Sequence, residues 1–77
     1  MTYEQALGEA LKRFRGWAGK KQKELARDTG VSATYISMVE NGRRVPSVAT
    51  FREFARALDC DLHEVLRLAD DLLGVQS

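Results

Sequence analysis

The sequence predicts an all-α fold. Three observations carry this. Apolar residues recur at the helical period in five successive short stretches, no stretch alternates apolar and polar residues as a strand would, and the connections are a few residues long with glycine or proline at the joints. Seventy-seven residues make one domain spanning 1–77. A chain this short buries only about 60% of its unfolded surface, so its core must be used economically.

The first helix opens at Thr2, with Gln5 three residues on as a capping box requires. Tyr3, Ala6, Leu7, Ala10, Leu11 and Phe14 then mark one face, and the pattern ends near residues 17–19. Gly8 weakens this helix by ~1 kcal/mol relative to alanine. The second is brief, about 21–29, with Leu25 and Ala26 turned inward and Gly30 where a left-handed residue stops it. The third begins at the N-cap Ser32, with Val31 and Ile36 placed for a hydrophobic staple, runs to Asn41 and ends at Gly42. Pro46-Ser47 opens the fourth, whose inner face is Val48, Phe51, Phe54, Ala55 and Leu58. The fifth, about 61–73, starts with Asp61 and Glu64 at capping-box spacing and stops at Gly74. The gap between the second and third helices is too short for an antiparallel hairpin. Three or four residues around a glycine suit a sharp crossing, which needs a small residue such as Ala26 where the axes meet.

A net charge of +1 conceals an asymmetry. Residues 1–57 carry eleven Lys/Arg against six Asp/Glu, whereas 58–77 carry Arg67 against five acids. Within 12–27, seven cations face Glu24 alone. The front of the molecule attracts a polyanion and the tail does not. The outward face of the third helix, by contrast, holds Ala33, Thr34, Ser37 and Met38 and no charge, with Arg43 and Arg44 just beyond. A solvated helical face is ordinarily studded with Lys and Glu.

Other chemistry finds little support. One cysteine excludes an internal disulfide and suits a reducing compartment. Cys60 and His63 stand three apart, but a structural zinc wants four ligands and only one residue of each type exists. A single histidine, no glycine-rich phosphate loop and too little bulk for a cleft argue against an enzyme. No apolar run approaches the roughly 18 residues of a membrane span, and no leader precedes a cleavage site, so a cytoplasmic protein without metal or cofactor is expected.

The stretch QKELARDTGVSATYISMVENG resembles the helix-turn-helix of the Cro and lambda-type phage repressors, the XRE-type regulators. Gln22 opens the motif, Ala26 is its small residue, Gly30 its turn, Ile36 and Val39 its buried pair, and Glu40-Asn41-Gly42 its close. The likeness continues through Pro46-Ser47, FREFARAL and DLHEVL, and so covers about residues 7–70. It implies a five-helix lambda-repressor-like domain with its motif at 22–42, and a sequence-specific regulator, by analogy a repressor, that binds double-stranded DNA at a palindromic operator as a homodimer.

It also implies roles. The third helix enters the major groove, with Ala33, Thr34, Ser37 and Met38 at the bases. Gln22, Lys21, Lys23, Ser32, Tyr35, Asn41, Arg43 and Arg44 are expected at the DNA backbone, Lys20 flanks the same surface, and the Ser32 hydroxyl serves equally as a cap. Arg15 pairs with Glu40 to fix the first helix against the third. On the fifth helix, Leu68 and Leu72 point away from the core and are expected at the dimer interface. The family has Ser or Thr where Lys21 stands, an apolar residue at Lys20, and Gly at Asp59. Trp17 has two readings, a cover for the gap at Lys20 or an exposed contact for a protein partner. That second reading leaves an alternative, an antitoxin or partner-binding regulator of the same fold whose partner is a toxin or co-regulator.

Overall fold

The structure is a computed structural model describing residues 1–74; residues 75–77 of the expected domain lie outside the described residues. Five helices follow in order: α1 Tyr3–Trp17, α2 Gln22–Thr29, α3 Ala33–Glu40, α4 Val48–Ala57 and α5 Leu62–Leu73. The all-α expectation is met, with each boundary within a residue or two of its cap.

The caps explain the boundaries. The Thr2 hydroxyl accepts from the Gln5 N–H at 3.1 Å while the Gln5 side chain accepts from the Thr2 N–H at 2.8 Å, a complete capping box. Ser32 accepts from the Tyr35 N–H at 3.0 Å and Ser47 from the Thr50 N–H at 3.2 Å. At α2 and α5 only the carboxylate arm is made: Glu24 accepts from the Lys21 N–H and Glu64 from the Asp61 N–H. An ammonium group has no lone pair to offer, so Lys21 leaves the α2 terminus without a side-chain cap.

The C-termini close on left-handed residues. After α3, the Gly42 N–H reaches Val39 O and the Arg43 N–H reaches Met38 O, with Gly42 at φ +74°. After α4 the same pair of bonds forms around Asp59 at φ +57°, the one described non-glycine residue with positive φ. Aspartate tolerates this conformation better than most residues.

One apolar cluster joins all five helices: Leu7 and Leu11 of α1, Leu25 of α2, Ile36 and Val39 of α3, Phe51 and Phe54 of α4, and Val65 and Ala69 of α5. Helix α1 packs on both α5 and α3, and α2 packs on α3 and α4. Ala26 is buried where α2 meets α3. Gly8 proves to be a packing residue as well as a helix weakener. A Cβ there would lie within 2.7 Å of the Glu40 carbonyl oxygen and closer still to that of Val39, so the α1 and α3 backbones touch at this point. Among the described residues no helix is long and apolar enough to cross a membrane.

Candidate nucleic-acid interface

The orientation of α3 is set by one nearly buried carboxylate. The Glu40 side chain is only 2% exposed, and Arg15 grips it with two bonds, Nε to Oε2 at 2.6 Å and Nη2 to Oε1 at 3.1 Å. Gln22 Nε2 donates to the same Oε1 at 2.9 Å. The third arm of the guanidinium reaches the Lys20 carbonyl at 2.9 Å. Helices α1, α2 and α3 are thus tied at one point, and the hydrogen bond to Glu40 raises the Arg15 pKa above its ordinary value. Gln22, expected at a DNA phosphate, spends one amide hydrogen on this link.

Lys20 is likewise drawn inward rather than lying free beside Lys21 and Lys23. Its ammonium donates to Asp28 Oδ2 at 2.8 Å and to the Ala57 carbonyl at 2.6 Å, joining the loop before α2 to the ends of α2 and α4. The cation thereby ties α2 to α4. The bond holds the Asp28 carboxyl below its usual pKa. Trp17 is 68% exposed and does not cover this place.

The outer surface of α3 carries Ala33 and Thr34, both exposed, and Ser37 and Met38, both half-buried. Asn41 closes it, with its amide 3.5 Å from the Ser37 hydroxyl. Arg43 and Arg44 are exposed in the loop that the Gly42 turn launches. The Arg44 guanidinium sits 5.9 Å from the centre of the half-buried Tyr35 ring, a cation–π contact that limits where this arginine can point. Lys21 and Lys23 are exposed at the start of α2. A neutral ridge with small polar groups, bordered by exposed cations, can meet base edges in a groove while the cations meet phosphates on either side.

Two open grooves flank α5. One, of ≈620 Å³, lies against α4, with Val48, Leu62 and Leu66 as apolar lining, Arg52 and Arg56 on the α4 side, and Asp61 and Glu64 among the residues opposite. Val48 is 70% exposed there. The other, of ≈310 Å³, lies against α1 and includes Leu68, Phe14 and Trp17. Leu68 and Leu72, expected to point away from the core, are instead half-buried and packed against it, because α5 lies close along α1. Cys60 is half-buried in the first groove, and burial, with help from Glu64, Asp61 and Asp59, pushes its thiol pKa up.

Several of these features escaped the sequence. The Lys20–Asp28–Ala57 tie joins three segments with no fixed spacing, so no periodicity rule could reveal it. The Tyr35–Arg44 stack crosses a turn whose course depends on Gly42. The Gly8 contact had a signal, a glycine within a strong helical face, but the helix it serves was not identifiable from that face.

The fold and this surface define a class: a helix-turn-helix domain that binds DNA and regulates transcription. The chain belongs to the helix-turn-helix domain family, whose model matches residues 6–75, and it is of the XRE, lambda-repressor-like kind. It is 39% identical over 64 residues to the ImmF control region 10 kDa protein of Bacillus phage phi105, covering 83% of this chain and 70% of that protein. It is 34% identical over 71 residues to the uncharacterized HTH-type transcriptional regulator y4dJ of Sinorhizobium fredii, covering 92% of each. Its fold matches the crystal structure of the clp gene regulator ClgR from Corynebacterium glutamicum with a TM-score of 0.93 at 33% identity, covering 99% of this chain and 81% of that one.

Proposed function

We propose that this DNA-binding regulator is a repressor that occupies a palindromic operator as a homodimer, with α3 of each copy in the major groove. The observation that carries this is the uncharged ridge of Ala33, Thr34, Ser37 and Met38, set between exposed cations on a helix that Glu40 fixes in place. Thr34 and Ser37 read bases through single hydrogen bonds, and Ala33 and Met38 pack on thymine methyls. No arginine, glutamine or asparagine stands at the front of α3 to make a bidentate base contact, so DNA shape supplies part of the specificity. Lys21, Lys23, Asn41, Arg43 and Arg44 hold phosphates. Ser32 and Tyr35 join them, Ser32 while capping α3 and Tyr35 while steadying Arg44. The second amide hydrogen of Gln22 remains for a phosphate beside α2.

Half-sites then lie about one turn apart, ~34 Å. Repression follows by analogy with the phage control protein this chain resembles. For the second copy, the α4–α5 groove is better suited than the Leu68–Leu72 edge. A two-fold axis sets Arg52 and Arg56 of one copy against Asp61 and Glu64 of the other, with Val48 and Leu66 between.

Selection of binders from a random duplex pool tests the reading, and a symmetric site is expected. Within that site, Thr34→Ala and Ser37→Ala each change preference at particular bases by about 1–2 kcal/mol. Arg43→Ala and Arg44→Ala weaken binding to every sequence and flatten a log–log salt slope of about −9, the value for roughly ten phosphate contacts per dimer. Uniform losses in both classes of variant sink the division of roles.

A further inference from the structure

The groove between α1 and α5 shares only Glu64 with the surfaces assigned above. Its lining is Phe14 and Trp17 from α1 and Glu64, Arg67, Leu68 and Asp71 from α5; none comes from α2, α3 or the Arg43–Arg44 loop. Trp17 is the chain's one tryptophan and, at 68% exposure, shares with Met1 a level of exposure passed, among the large apolar side chains of the described residues, only by Val48. It is held in place: its ring meets Phe14 edge-on, with centroids 5.0 Å apart and planes at 77°. A large, orientated indole beside a half-buried leucine is the kind of residue that anchors protein contacts, because it presents much apolar area at little cost in side-chain entropy.

The charge around the groove selects the partner. Glu64 and Asp71 flank Arg67 on α5, and Asp61 lies a turn before Glu64; none of these four groups lies within 4.0 Å of an opposite charge among the described residues. The surrounding surface is therefore acidic, which disfavours nucleic acid and anionic lipid. A second copy is already assigned to the α4–α5 face, and a further copy here would carry the dimer on into an open assembly. We propose that the Phe14–Trp17–Leu68 groove docks a segment of another protein, one that presents an aliphatic anchor between lysines or arginines. Such a segment binds while α3 stays on DNA, so the domain joins an operator to a cationic partner helix or strand.

Trp17 is itself the reporter. A tryptophan-free amphipathic peptide of leucine and lysine is titrated into the protein, alone and bound to a duplex, with the leucine–glutamate counterpart as control. Expected are a saturable blue shift of the emission at one peptide per chain with and without DNA, binding at least about tenfold tighter for the lysine peptide, and a several-fold loss in an Asp71→Lys variant. Trp17→Ala, followed by calorimetry, loses the peptide while its melting temperature stays within a few degrees, as fits so exposed a side chain. The proposal fails if the lysine peptide gives no shift, if both peptides act alike, if DNA and peptide exclude one another, or if raising the protein concentration alone produces the shift, which would make a second copy the occupant. DNA binding is read in the same samples, so a failure of the operator reading shows separately.

Discussion

Glu40 concentrates more of the molecule's organisation than any other side chain. Three hydrogen bonds from Arg15 and Gln22 compensate its burial, and each of its partners belongs to a different helix. Removing one member of such a pair strands the other charge where water reaches it poorly, which costs about 3–5 kcal/mol. Glu40→Ala is therefore expected to lower unfolding stability by about 3 kcal/mol in urea denaturation, a large share of what a domain this size has. A loss under about 1 kcal/mol would mean the pair is only a surface contact. The pairing of Arg15 with Glu40 was legible in the sequence through the family resemblance. The added bond from Gln22 was not, because a glutamine at the start of a helix reads equally well as a phosphate ligand.

At the scale of the element, α1 and α3 approach until their backbones touch, and Gly8 is what permits it. In an isolated helix, Gly8→Ala is stabilising by ~1 kcal/mol. Here the added methyl meets backbone carbonyls that cannot swing aside, so overpacking reverses the sign and the variant is expected to lose about 1–3 kcal/mol. Thermal melts of the two proteins decide between these outcomes. Helix α2 is held on α4 by an ionic tie as well as by the apolar core. The Asp28 carboxyl, bonded to Lys20, titrates below its usual 3.8, so the unfolded chain binds this proton more readily than the folded one. The stability this group contributes is complete above the usual value and is lost as pH falls through the lower, folded one. Asp28→Asn lacks that part of the acid dependence: its melting temperature should fall less steeply than wild type below about pH 4. Equal slopes would show the tie to be open in solution.

For the whole molecule, the distribution of charge decides which face does what. Cations gather around α2 and the loop after α3, acids along α5, and the α4–α5 groove carries both signs on facing walls. Only the last can complement a copy of itself. If the dimer proposed above forms, Val48→Asp is expected to shift it to monomer in sedimentation and to weaken DNA binding at least about tenfold, with little change in folding because Val48 is mostly exposed. Leu68→Asp should leave the dimer intact; if it alone gives monomers, the contact lies at the α1 edge of α5.

What the sequence determined by itself was everything governed by local rules: five helices, their caps, the glycine turns, the inward stripes and the neutral ridge of α3. These are legible because capping, left-handed turns and helical periodicity act over a few residues. The tertiary structure decided which groups are free. Lys20 and Lys21 are neighbours of one chemical type, yet one is tied to α2 and α4 and the other faces solvent; Leu66 and Leu68 are two residues apart, yet they edge different grooves. Burial, ion pairing and close backbone approach depend on segments far apart in the chain, and no spacing within one helix encodes them.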